Sequence, residues 1–341
     1  MPKAYQPPFT ITTKIIHLIS SISERLGRMV VLRGKEDEKQ LRLRRLNRIR
    51  TIQGSLAIEG NTLSEAQITA ILDGKRVIAP PKDIQEARNA IKAYEAFIGW
   101  QPENESDLLA AHQVLMAGLI DDAGRYRSGN VGVMNGDTVV HMAPPANRIK
   151  TLTSDLLGWL AITDQHPLIV SSVFHYEFEF IHPFTDGNGR MGRLWQTLIL
   201  SQWQPLLSQL PVESMVHAHQ SEYYQAINTS TQQSDSAPFI EFMLSAILET
   251  LESNDTELDV ESPQVTPQVT PQVKRLLSVL EERGDQMTRD ELQRILELKD
   301  RTSFRERYLK PALEAGLIEL TIPDKPNSRL QQYRLTDTGE Y

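Results

Sequence analysis

The 341-residue chain contains no cysteine. Disulfides, thiolate zinc sites and thiol nucleophiles are thereby excluded, so any base or nucleophile must be another side chain. Long apolar runs are missing too. None reaches the ~18 residues that span a bilayer, and the opening MPKAYQPPF has neither a basic region followed by an apolar one nor a small-residue cleavage site. A soluble, cytoplasmic protein with no membrane partner is the expectation. Positive charge is in deficit, with 36 Lys and Arg against 44 Asp and Glu and a net charge of −8. That balance argues against a protein that coats nucleic acid, because such binding rests on neutralising phosphates. A local basic site is compatible with it. What is present is an apolar content of 40%, enough for ordinary cores in two or three domains.

The clearest boundary falls at residues 252–272. There ESNDTELDVES gives way to PQVTPQVTPQV, a repeat with proline at 263, 267 and 271. Proline at that interval cannot continue a helix, so the segment reads as an extended, semi-rigid linker. Upstream, apolar residues recur at helical spacing over Lys14–Gly27, Glu38–Glu59, Glu65–Asp73, Asp83–Trp100, Glu105–Leu119, Arg148–Asp164, Pro167–Phe180, Gly192–Gln202, Tyr223–Thr229 and Pro238–Glu252. One exception is Val131–Met142, where β-branched residues flank Asn-Gly-Asp and predict a hairpin. Beyond the linker, Val273–Arg283 reads as a helix, Thr288-Arg-Asp-Glu291 as a capping box opening a second, and Arg301–Ala315 as a third stopped by Gly316. Two β-prone runs follow, Leu317–Ile322 and Leu330–Leu335. Three helices and a two-stranded wing over 273–341 resemble a winged helix-turn-helix. The expected fold class is therefore mainly α: a helical bundle with one hairpin, joined to a small C-terminal domain.

The densest chemistry lies in HPFTDGNGRMGR, residues 182–193. Asp-Gly-Asn-Gly at 186–189 directly precedes an apolar helical run. Unsatisfied N–H groups at a helix start favour an anion, and glycine lets the backbone approach a phosphate. Arg190 and Arg193, three apart, would project from one face of the first turn and clamp a polyphosphate. Asp186, beside phosphates, is the expected Mg²⁺ ligand. His182, just ahead of Pro183, suits the acceptance of a proton from an attacking hydroxyl near neutral pH. Phe184 fits as an apolar anchor.

These residues match the signature His-x-Phe-x-(Asp/Glu)-Gly-Asn-Gly-Arg-x-x-Arg, and on them the chain resembles the Fic domain family. Gly124-Arg-Tyr-Arg127, Pro144-Pro145 and Tyr223-Tyr224 agree with the resemblance over roughly Gln53–Leu248. It implies a Fic-type helical bundle, with a catalytic core at 101–251 behind an N-terminal helical region at 1–100. It also implies transfer of AMP from ATP to a Ser, Thr or Tyr hydroxyl of a target protein. By the same resemblance His182 is the base, Asp186 holds Mg²⁺, Gly187, Asn188 and Gly189 cradle phosphates, and Arg190 and Arg193 hold the β- and γ-phosphates. The 131–142 hairpin takes the place of the family's flap, which aligns a target strand. Glycine at 189, where one subgroup of the family carries lysine, implies AMP transfer.

Ser55-Leu-Ala-Ile-Glu59-Gly60-Asn61 closes a helix expected to bury Leu43, Leu46, Ile49, Ile52 and Leu56. Ser55 and Glu59 share a face, and Gly60 is a natural C-terminal cap. The segment resembles the family's inhibitory signature, (Ser/Thr)-x-x-x-Glu-(Gly/Asn), which implies that Glu59 pairs with Arg193 and excludes a productive γ-phosphate. In some relatives the same glutamate supports removal of AMP, so hydrolysis is a second implied activity. Arg42, Arg44, Arg45, Arg48 and Arg50 read as a solvated face with nearby acidic partners, with a regulatory contact as the second reading.

Two rivals remain in view. His175-Tyr-Glu-Phe-Glu-Phe-Ile-His182 clusters histidines and glutamates, but it lacks His-Glu-x-x-His spacing and a third metal ligand. A DNA-binding regulator would use Arg301, Arg305, Arg307 and Lys310 of the C-terminal domain, whose acids offset that charge, and protein docking or dimerisation is an equal alternative for that domain. Self-modification and a homodimer stay open.

Overall fold

The computed structural model describes residues 5–32, 38–135, 138–260, 271–283, 286–296, 298, 300, 304–314, 317–321 and 331–336. The chain forms two units, 1–257 and 258–341. Among the described residues no helix is long and apolar enough to cross a membrane.

The first unit is helical almost throughout. Its helices are α1 (Thr13–Leu32), α2 (Glu38–Ile58), α3 (Glu65–Leu72), α4 (Pro81–Ala96) and α5 (Glu105–Met116). A two-stranded hairpin, β1 (Gly132–Asn135) and β2 (Thr138–Met142), leads to α6 (Ile149–Ile162), α7 (Pro167–Ile181), α8 (Asn188–Trp203), α9 (Val212–Ala218), α10 (Gln220–Gln233) and α11 (Ala237–Val260). The centre of this unit is the pair α7–α8. PLIVSSVFHYEFEFI has no polar face to offer solvent, and every residue from Leu168 to Phe178 is buried. A helix apolar all round belongs inside a bundle. Pro167 starts α7 at a position where a missing N–H costs nothing, and His166 Nδ1 accepts from the Leu168 amide at 3.2 Å. Because α7 and α8 are sequence neighbours joined by residues 182–187, the loop of the signature is the connection between the two central helices.

Helix α2 packs on α9 through a glycine. A methyl group at Gly54 would strike the backbone of Glu213 and Ser214, so only glycine permits this approach. Ile49, Ile52 and Leu56 are buried as expected, whereas Leu43 and Leu46 are only half-buried. Of the arginine face, Arg45 pairs with Asp73, Arg50 lies 3.9 Å from Glu65, and Arg48 donates to the Tyr94 carbonyl at 2.8 Å. The Arg42 side chain lies outside the described residues.

The hairpin pairs Gly132 with Met142 and Asn135 with Thr138, with a bulge between Val133 and Met134; its turn, 136–137, lies outside the described residues. Helix α11 continues to Val260, so ESNDTELDV extends the helix rather than opening the linker at 252. No proline or glycine interrupts that stretch. The proline repeat at 261–270 lies outside the described residues.

The second unit holds α12 (Pro271–Arg283), β3 (Met287–Thr288), α13 (Arg289–Ile295), α14 (Lys310–Glu314), β4 (Ile318–Leu320) and β5 (Gln332–Leu335). Val273, Leu276, Leu277 and Leu280 of α12 meet Leu292, Phe304, Leu309 and Ile318 in its core. The Thr288–Glu291 capping box forms in both directions. The sheet has three strands in the order β3-β5-β4, one more than the two expected. The expected third helix is disturbed. Residues Arg305–Leu309 are wound as a π-helix, closed by Lys310 N–H to the Arg305 carbonyl. Pro311 has no N–H to continue an α pattern, which accounts for the widened turn just before it.

Candidate active site

Helix α7 ends at His182, which adopts a left-handed conformation (φ 51°, ψ 62°) while its amide bonds the Phe178 carbonyl at 2.9 Å. A non-glycine residue there needs support. The buried Arg127 guanidinium supplies it, donating to the carbonyls of His182 at 2.7 Å and Ile181 at 3.3 Å. The same group donates to Gly129 at 2.8 Å and Pro144 at 2.6 Å, one residue on either side of the hairpin. One planar fork therefore fixes the histidine and both feet of the hairpin together.

The loop is then stapled twice. The Phe184 ring, fully buried, stacks on His112 with ring centres 3.6 Å apart. His112 Nδ1 accepts from the Gly124 amide at 2.9 Å, so its Nε2–H donates to the Asp186 carbonyl at 3.0 Å. Burial holds the His112 pKa below its ordinary value, which keeps this neutral arrangement. Asn188 Oδ1 accepts from the Phe184 amide and its Nδ2 donates to the Phe184 carbonyl, both at 2.9 Å. The Asn188 side chain is thus committed to the loop, and what it offers a phosphate is its backbone.

Gly187 turns the chain into α8 with φ 83°, where a Cβ would press on Met116. It provides no side-chain cap, so the N–H groups of the first turn remain for an anion. An anion is already there. A Cβ on Gly189 would meet the Glu59 carboxylate, which means that Glu59 lies directly over this turn. Glu59 Oε1 accepts from Arg193 NH2 at 2.7 Å, and Ser55 accepts from the same guanidinium at Oγ (3.2 Å) and at its carbonyl (3.0 Å). Burial works against the Arg193 charge, but Glu59 and its neighbours hold its pKa above the ordinary value. Gly60, with φ 85°, closes α2, and Asn61 N–H returns to the Leu56 carbonyl at 3.1 Å. Ser55, Glu59 and Arg193 are therefore brought together.

Arg190 is placed otherwise than expected. It does not stand beside Arg193 facing an open site. It is buried, with NH1 on Glu86 at 3.0 Å and NH2 on Asp186 at 3.3 Å. Asp186 is half-exposed and also accepts from the Gly187 amide at 2.6 Å. A groove of about 660 Å³ runs along α10, lined by Gln220, Tyr224, Gln225, Asn228, Thr229 and Gln232. Gln220 donates to the Ile58 carbonyl at 2.8 Å, so the groove begins next to Glu59.

The metalloenzyme alternative loses its ligands. His175 is buried and both ring nitrogens are engaged, with Gln196 at 2.6 Å and the Tyr223 hydroxyl at 3.1 Å. Burial pulls its pKa down to about 3. Among the described residues no group of three or more acids or histidines is placed to hold a metal.

A crystal structure of a Fic family protein from Desulfovibrio desulfuricans G20 is 51% identical, covers 99% of this chain and 100% of its own, and superposes with a TM-score of 0.75. The chain belongs to the Fic family. The Fic/DOC family model matches residues 102–200, and the model for the C-terminal domain of Filamentation induced by cAMP protein Fic-like matches 271–336. The second match gives no support to the DNA-binding alternative. Among curated Fic relatives, "Protein adenylyltransferase Fic" of Culex quinquefasciatus is 29% identical over 219 residues, 60% of this chain and 41% of that protein. "Protein adenylyltransferase fic-1" of Caenorhabditis elegans is 31% identical over 207 residues, 55% of this chain and 37% of that protein. The chain thus spans well under two thirds of these Fic relatives.

Sequence reasoning missed His112, Glu86 and the role of Arg127. Gly124-Arg-Tyr-Arg127 stood out as a motif, but only the fold shows four carbonyls converging on one guanidinium. His112 and Glu86 lie on separate helices, and nothing near them in sequence marks them.

Proposed function

We propose that the chain is a protein adenylyltransferase held in an inhibited state by Glu59. The observation that carries this reading is the Glu59 carboxylate seated over Gly189 and bonded to Arg193, an anion in the place built for a polyphosphate. Relatives named protein adenylyltransferase support the chemistry.

In this reading ATP lies with its phosphates on the backbone of Gly187, Asn188 and Gly189 and its γ-phosphate on Arg193. The base lies towards the α10 groove, where Tyr224 offers a half-exposed ring. His182 takes the proton of a target Ser, Thr or Tyr hydroxyl, whose oxygen attacks the α-phosphorus. The α–β anhydride bond breaks, pyrophosphate leaves and AMP stays on the target. Arg127 keeps His182 in its left-handed turn and fixes the feet of the hairpin, along which the target segment adds as a strand. Asp186, a half-exposed carboxylate beside the cradle, suits Mg²⁺, which takes one or two carboxylates together with phosphate oxygens. Such a cation supplies charge neutralisation on the phosphates. Arg190, buried on Glu86, supports Asp186 and does not reach the polyphosphate. The second unit is read as a winged helix-turn-helix of the Fic-like C-terminal type.

The test is to incubate the Glu59→Gly chain with cell lysate and α-labelled ATP. Label is expected on a protein hydroxyl, either on a lysate protein or on the chain itself. His182→Ala in that background is expected to lower labelling by about 10² to 10⁴ while ATP still binds. Label that persists without His182 sinks the assignment.

A further inference from the structure

Arg190 is more than nine-tenths buried, and its Nε finds no partner among the described residues. A guanidinium so placed needs a counterion. It touches two carboxylates that differ in kind. Glu86 is buried on α4: its Oε1 takes Arg190 NH1 at 3.0 Å, its Oε2 accepts from Asn61 Nδ2 at 2.9 Å, and Lys82 stands off at 3.9 Å on the solvent side. Asp186 is half-exposed and meets Arg190 at a longer 3.3 Å. The trio of Glu86, Arg190 and Asp186 carries one net negative charge, and Asp186 is its exposed member. Were Glu86 neutral, Asp186 would be the only carboxylate in contact with a buried cation. It would be drawn inward and its charge cancelled.

We infer that Glu86 is a positioning residue that, by neutralising Arg190, keeps the Asp186 carboxylate available to the divalent cation that accompanies the nucleotide. The inference rests on the reading of Asp186 given above. Asn61, two residues beyond Glu59, closes the other side of Glu86 and fixes its orientation from the end of the inhibitory helix.

The test uses the full chain carrying Glu59→Gly, so that the cradle is open. The quantity measured is the Mg²⁺ or Mn²⁺ concentration giving half-maximal equilibrium binding of ATP, after thermal melting has shown each variant folded. Glu86→Gln keeps one acceptor oxygen, which can serve Asn61, and removes both the charge and the acceptor that faces Arg190. It is expected to raise the required cation concentration about tenfold or more, as loss of an outer partner of a metal ligand commonly does. ATP binding without the cation should not weaken. Adding Arg190→Met to Glu86→Gln is expected to return the requirement to the parent value, because the competing cation is then gone. Arg190→Met alone should lower it, and that variant decides the matter should Glu86→Gln fail to fold. A lower melting temperature with an unchanged cation requirement would show Glu86 to be structural only and overturn the proposal. Asp186→Asn separates the two layers: if it leaves the requirement unchanged, the reading of Asp186 fails, and with it the premise on which Glu86 acts.

Discussion

Arg190 and Arg193 sit three residues apart in the first two turns of α8 and are buried almost equally, yet their counterions differ. The partner of Arg190, Glu86, keeps 7% of its side-chain exposure and is tied to Asn61. The partner of Arg193, Glu59, keeps 30% and stands on the last residue before the Gly60 cap. A pair sealed on both sides is costly to break, whereas a pair with one wet member can open, with water replacing the lost contact. The difference teaches which ion pair is a strut and which is a latch. Under the proposed inhibition the latch is the Glu59–Arg193 pair, whose carboxylate stands at the solvent-facing end of α2.

This contrast can be tested through stability. Arg190→Met leaves Glu86 buried without its cation and is expected to cost about 3 kcal/mol in thermal or denaturant unfolding of the first unit. Glu59→Gly, with water able to reach the vacated side of Arg193, is expected to cost only about 1 kcal/mol. Equal losses would erase the distinction between strut and latch. A finer probe is Glu179, which lies 3.8 Å from His175. Burial, with a further push from Glu59 against the pull of Arg193, raises its pKa to about 8. An acid whose folded pKa is raised binds more protons folded than unfolded. Its contribution to stability therefore falls as pH rises from the ordinary carboxylate range to about 8, and levels off above that value. Glu179→Gln should accordingly raise the melting temperature at pH 9 and leave it nearly unchanged at low pH. A gain that is the same at both ends would show that ionisation is not the cause.

Much of this site was legible in the sequence, since HPFTDGNGRMGR and SLAIEGN are short and their residues act within a turn or two of one another. The resemblance implied the contact of Glu59 with Arg193 seen in the fold, while the bonds of Ser55 to the same guanidinium were not anticipated. The fold class followed from apolar residues recurring at helical spacing along the first unit, with α7 buried on every side from Leu168 to Phe178. What could not be read were meetings between distant segments. Spacing put Arg190 and Arg193 on one face, but the partner of Arg190 comes from α4, and no local pattern marks Glu86. Asn188 looked like part of a phosphate loop, and its side chain proved to be a staple whose partner, Phe184, lies four residues away in a conformation only the fold defines. The continuation of α11 to Val260 shows another kind of miss: the linker read from 252 starts ahead of its first proline at 263, where nothing breaks a helix.

The central claim is that Glu59 blocks AMP transfer by occupying the anion site over Gly189. The most direct measurement is the rate of AMP incorporation from α-labelled ATP by wild type and by Glu59→Gly at equal concentration, with the same target mixture. The account predicts a rate roughly tenfold to a hundredfold higher for the glycine variant. Equal rates would contradict it.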